Sequence, residues 1–271
     1  MIKLIKGLFI FAYQQSLACI FPVVVFMAMA VSLKVQIPYL PRYDFILLIC
    51  IVAQFLMVKY GLETKDELKA ITVFHLIGLC LEIYKVYMGS WVYPESAYFK
   101  VLDVPLYSGF MYASVASYIM QAWRRHDLKL VHWPSSWMTI PLAIAIYGNF
   151  FTHHYLYDVR WILLVALFVV FYKTFVFFTV DNYRLKMPIT LSFFLIGFFI
   201  WVAENISTLF DGYRYPNQSD QWELVHIGKL SSWFLLIVIS IIIVAQLKIV
   251  KATKSGVVNE ESRKNGEVKD I

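Results

Sequence analysis

Long apolar blocks, at residues 4–31, 44–60, 70–88, 106–123, 137–154, 160–180, 188–210 and 230–249, alternate with short polar segments along the chain. Most approach the roughly 20 residues that a helix needs to cross a bilayer, and flanking residues complete the shorter second and fifth. The pattern predicts an all-α, polytopic integral membrane bundle of about eight transmembrane helices over residues 1–249, with a polar tail over 250–271. The first block is long and has no small-x-small site leading into a polar sequence, so it reads as a span rather than a cleaved signal.

Composition supports a lipid-facing surface: 60% of the 271 residues are hydrophobic and only 15% charged. A soluble domain of this length could not hide so much apolar area. The basic residues cluster at Lys3 and Lys6, at Lys59, Lys65 and Lys69, at Arg124, Arg125 and Lys129, at Arg184 and Lys186, and beyond Lys248. With eight spans all of these fall on one side, which the positive-inside rule makes cytoplasmic for both termini. The net charge of +6 is then a topology signal, and no nucleic-acid partner is expected. Cys19, Cys50 and Cys80 fall inside the apolar blocks and suit core positions rather than a disulfide framework.

Two helix-to-loop junctions resemble one another. Glu82 stands eleven residues before Tyr93 in "EIYKVYMGSWVYPE", and Glu204 eleven before Tyr215 in "ENISTLFDGYRYPN". Each tyrosine has an aromatic two places earlier, Trp91 or Tyr213, and a proline directly after it. The offset of 122 residues lays the first four blocks over the last four, the pattern of a parallel duplication with repeats over 1–125 and 126–249. The bland account is that Pro94 and Pro216 end helices and that the aromatics anchor at the headgroup level.

His75, Gly78, Glu82, Lys85 and Gly89 follow steps of three and four and share one helical stripe. Charges at that depth are costly unless paired or turned toward a protein interior, so the stripe must face inward. Gly197, Trp201, Glu204, Thr208 and Asp211 form a second such stripe, with Asn205 beside it. Glu82 and Glu204 are the candidate acid/base pair. His153 is a third catalytic candidate, one turn from Asn149 in "YGNFFTHHYLYD". Lys85, Asn149, Asn205, Trp91, Tyr93 and Asp211 are the candidate substrate contacts, converging toward the non-cytoplasmic side. Structural pairing of each charge, such as Glu82 with Lys85 three residues on, is the alternative. Gly109, Ala113 and Ser117 make a small-residue stripe that suits close helix packing.

No H-E-x-x-H motif, repeated histidine box, P-loop or dinucleotide fingerprint occurs, and neither a metal nor a cofactor is expected. "PLYSG" carries a serine without the elbow of a serine hydrolase.

The stretches "GSWVYPE" at 89–95 and "VPLYSGFMYASVASYI" at 104–119 resemble a bacterial multi-pass membrane family of unknown function that includes YoaT-like proteins. That resemblance implies a multi-pass protein of the bacterial cell membrane and stresses the segment around 89–119, but it carries no reaction. A fainter likeness, in a glutamate followed by an aromatic-rich junction, is to membrane carotenoid cyclases and hydratases, which act on lipid-soluble isoprenoids. Three readings remain open: a non-metal acid/base enzyme acting on a lipid or isoprenoid, a proton-coupled transporter of a small solute, and a structural or sensory membrane protein. A membrane lipid or lipid-soluble substrate is the expected partner, and the oligomeric state is left open.

Overall fold

The computed structural model describes residues 2–254, with side chains described for 5–248. Most of the polar tail expected over 250–271 lies outside the described residues. The described residues form two compact units, each assembled from discontinuous segments: residues 15–121 with 202–226, and residues 2–14 with 122–201 and 227–254.

The first of these contains the end of α1 (Ile2–Ala18), α2 (Ile20–Ser32), α3 (Arg42–Lys59), α4 (Lys65–Tyr87) and most of α5 (Ser108–Arg125). It also holds the last turns of α8 (Ile189–Leu209) and a 3-10 turn at Pro216–Gln218. Thr64 starts α4 with a reciprocal cap: its hydroxyl accepts from the Glu67 amide at 3.2 Å, and the Glu67 carboxylate accepts from the Thr64 amide at 2.7 Å. Two short strands, β1 (Lys100–Val101) and β2 (Val104–Pro105), pair antiparallel between α4 and α5. Their turn residues Leu102 and Asp103 have φ of 48° and 66°.

The other unit contains α6 (Ser136–Thr152), α7 (Arg160–Phe171), α9 (Lys229–Lys254) and a three-stranded antiparallel sheet. That sheet consists of β3 (Lys129–Val131), β4 (Phe175–Val180) and β5 (Tyr183–Pro188), in the order β3-β4-β5. Phe193 and Phe171 meet edge to face at 5.4 Å in its core. At Gly197 a Cβ would fall 3.1 Å from the Phe234 backbone, so glycine lets α9 approach α8 closely.

These elements correct the expectation of an all-α bundle of about eight transmembrane helices. Among the described residues, three helices are long and apolar enough to cross a membrane: Lys65–Tyr87, Ile189–Leu209 and Lys229–Lys248. A fourth span exists if Ile5–Ala18 and Ile20–Ser32, bent by 66°, count as one. Apolar blocks overstate spans here for specific reasons. The block at 160–180 is helical only to Phe171; past Lys173 its aromatic and β-branched residues, FVFFTV, pair as strand β4. The block at 137–154 yields a helix of only 17 residues, with Pro141 inside it. The helix at 42–59 carries Arg42, Asp44 and Gln54 among its apolar residues.

Candidate functional site

Glu82 lies on α4 and is 3% exposed. Its Oε2 accepts from Trp91 Nε1 at 2.7 Å and from Tyr93 Oη at 2.6 Å, and its Oε1 accepts from Tyr112 Oη at 2.8 Å. Glu204, on α8 and 4% exposed, accepts from Tyr213 Oη at 3.4 Å and also from Tyr215 Oη. The repeated spacing thus has a repeated geometry: each carboxylate reaches forward to the aromatics nine and eleven residues later.

The helix ends explain how. After α4, Gly89 takes φ of 67°, and the Ser90 amide donates to the Lys85 carbonyl at 2.9 Å. After α8, Asp211 takes φ of 54°, and the Gly212 amide donates to the Ser207 carbonyl at 2.9 Å. Both are left-handed C-terminal caps that turn the chain back over its own helix. Asp211 tolerates the conformation that glycine favours, and its carboxylate holds Arg214 at 2.5 and 2.7 Å.

The two returning segments then meet. Val92 and Arg214 form an antiparallel bridge, with the Val92 amide donating to the Arg214 carbonyl at 2.9 Å and the Arg214 amide returning a bond at 3.0 Å. Around this bridge the Trp91 ring centroid lies 6.1 Å from that of Tyr213 and 5.9 Å from that of Tyr215, and Tyr93 lies 6.0 Å from Tyr213. Glu82 and Glu204 are therefore joined through one aromatic cluster. Burial, reinforced by the neighbouring carboxylate charges, holds the phenols of Tyr93, Tyr213 and Tyr215 well above their ordinary range. They remain protonated donors at any physiological pH.

Several supporting residues carry no periodic signal in the sequence. Tyr112 fits over Gly78, where a Cβ would fall 2.4 Å from the Tyr112 Cγ; reciprocally, His75 of α4 fits over Gly109 of α5. The Gly78 and Gly109 positions were the available clue. Arg42 donates to Glu95 at 2.6 Å, to Ser32 Oγ at 2.9 Å, to the Asp211 carbonyl at 2.9 Å and to the Phe210 carbonyl. It thereby caps α8 and fixes Glu95. Glu63, 2% exposed before α4, accepts from Gln54 and Ser117, while Gln121 donates to the Leu62 carbonyl. In the sequence, Glu63 looks like an ordinary loop residue ahead of a helix cap.

The remaining candidates have local settings. Lys85 is buried, with its Nζ 5.9 Å from the Tyr84 ring centroid. Asn205 accepts from the Val225 amide at 2.8 Å and so pins the 216–226 segment, which Trp222 also joins to Thr208 at 3.1 Å. Asn149 belongs to the other unit; it donates to Asp158 at 3.0 Å and accepts from the Val159 amide at 3.0 Å. His153 Nδ1 lies 3.1 Å from the Asn149 carbonyl, and its ring lies 4.1 Å from that of His154. Among the described residues, no three His, Cys, Asp or Glu side chains gather as a metal site.

Helices of membrane length give the chain a general membrane-protein character, with two buried carboxylates beside an aromatic bridge. Residues 7–241 match the family described as "Protein of unknown function (DUF817)", and the chain belongs to that family. It is similar to the "Uncharacterized protein YoaT" of Bacillus subtilis (strain 168), with 57% identity over 249 residues, covering 92% of this chain and 94% of that protein. No solved structure matches the chain.

Proposed function

We propose that the protein is a membrane-embedded, non-metal acid/base enzyme acting on an apolar lipid or isoprenoid. The supporting observation is the pair of buried carboxylates joined through the Trp91, Tyr93, Tyr213 and Tyr215 cluster. Protonating an alkene leaves positive charge on carbon. Aromatic faces and carboxylates stabilise such charge, most strongly where water is excluded. In this reading Glu82 or Glu204 moves the proton, the tyrosine hydroxyls orient the carboxylates, and the rings of Trp91 and Tyr93 contact the substrate. Asn205 and Asp211 hold the loops beside these residues in shape.

The test is mass spectrometry of lipids retained by gently purified protein, comparing wild type with Glu82→Gln and Glu204→Gln. A specific isoprenoid or lipid on wild type, with an altered product distribution in either variant, supports the enzyme. Retention of general membrane lipids alone argues against it.

A second reading, proton-coupled transport, is favoured by Glu63. This buried carboxylate precedes the start of α4, roughly 28 Å of helix rise from Glu82. Protonatable groups at both ends of one membrane-length helix suit a path for protons. Proton-coupled uptake lost in Glu63→Gln would select this reading.

A further inference from the structure

The three-stranded sheet has two faces of different composition. Its register assigns side chains to faces, because directly paired residues point the same way and alternate along each strand. Lys129, Phe177 and Lys186 form one rung across all three strands, and Thr179 pairs with Arg184 on the same face. The opposite face holds Leu130 and Val176 in one rung and Val180 in another, all buried.

The outward face therefore presents three exposed cations, Lys129, Arg184 and Lys186, set among aromatic rings. The Arg184 guanidinium carbon lies 5.6 Å from the Phe177 ring centroid, and Lys186 Nζ lies 5.5 Å from that of Phe175. Among the described residues no carboxylate pairs with any of the three. Asp181, at the β4–β5 turn, engages Lys6 at 3.8 Å instead. β5 ends at Pro188 and the chain passes directly into α8, a helix of membrane length. Cations held over apolar rings at the start of a membrane-length helix have the composition of the headgroup layer, where the ring sits in the acyl boundary and the charge meets phosphate.

We infer that this sheet face binds the headgroup phosphates of anionic phospholipids in the surrounding membrane. A neutral, zwitterionic headgroup offers no net charge to the three cations. Nucleic acid and acidic protein surfaces fit less well, because the aromatic rings between the cations favour an apolar boundary.

The experiment reconstitutes the full chain in nanodiscs of mixed phosphatidylglycerol and phosphatidylcholine. Retained lipids are counted by native mass spectrometry for wild type and for the triple variant Lys129→Gln/Arg184→Gln/Lys186→Gln. A control variant, Lys65→Gln/Lys69→Gln, removes two exposed cations elsewhere. Wild type should prefer phosphatidylglycerol, and the preference should fall roughly fivefold for each sheet cation removed. The control should keep it. For wild type alone, raised ionic strength should erode the preference, a measurement that needs no variant to fold. Equal retention of the two lipids by wild type, an unchanged preference in the triple variant, or an equal loss in the control would each overturn the assignment.

Discussion

Tyr112 rests directly on the α carbon of Gly78, so closely that a Cβ there would lie 2.4 to 2.5 Å from three atoms of the tyrosine side chain. One of those atoms is the Tyr112 Cβ, which cannot swing aside without moving α5. Gly78→Ala should therefore destabilise the protein by about 1–3 kcal/mol, the usual range for overpacking. Thermal unfolding in detergent reads the loss. In a double-mutant cycle the cost of Gly78→Ala should shrink in a Tyr112→Gly background, which removes the opposing Cβ as well, whereas helix propensity alone would favour alanine over glycine at position 78.

Glu82 tests a different kind of dependence. Three donors converge on its carboxylate: Trp91 and Tyr93, both buried, and the partly buried Tyr112. Glu82→Ala removes the acceptor that all three share, at about 1–3 kcal/mol for each of the two buried bonds. Glu82→Gln keeps an acceptor oxygen and the side-chain shape. The alanine variant is expected to fail to accumulate as folded protein, and the glutamine variant to purify with a near-normal melting profile. Size-exclusion chromatography with thermal denaturation distinguishes them.

Arg42 is bound by its fork. Its side chain is 10% exposed and reaches Glu95, Ser32 and two carbonyls at the end of α8. Arg42→Ala should cost about 1–3 kcal/mol, mainly by stranding two helix-end acceptors, because Glu95 is 34% exposed and regains water. Arg42→Lys should restore only part of this, because a point ammonium cannot span the same partners. Faster amide exchange at residues 209–215 in both variants is the expected signature.

The sheet has its own pH dependence through His126, which follows α5 and meets β4. Its carbonyl accepts from the Thr179 amide at 2.7 Å, and its Nδ1 lies 3.3 Å from the Thr179 carbonyl. Burial lowers its proton affinity, the Thr179 bond partly opposes that, and the Arg125 charge adds to it. The unfolded chain then takes up a proton at a higher pH than the folded one. The stabilisation is complete above the ordinary histidine value of about 6.5 and is lost as pH falls through the lower folded value. The protection of β3 and β4 amides, corrected for the intrinsic slowing of exchange in acid, should fall on acidification below about pH 6. His126→Asn should flatten that response.

How much of this was readable in the sequence depends on the kind of signal. Glu82 and Glu204 stood out because an ionisable residue in an apolar block is costly, and their tyrosines because the spacing recurs. The recurrence reflects two left-handed helix caps, one at Gly89 and one at Asp211. Tyr112, Arg42 and Glu63 gave no such sign, since their roles arise from contacts distant in sequence. The span count erred for a related reason. Hydropathy alone does not separate an apolar strand such as Phe175–Val180 from the end of a helix. The basic residues used to orient the chain, Lys129, Arg184 and Lys186, share one sheet face, which only strand register could reveal.

The Val92–Arg214 bridge has a mechanical consequence. Each residue gives one main-chain bond and takes one, so the ends of α4 and α8 are yoked back to back. Trp91 and Tyr93 flank this link on one segment, and Tyr213 and Tyr215 flank it on the other. Two acidic centres far apart in the chain thus share one main-chain tether, and a substitution that breaks it should loosen the aromatic cover of both.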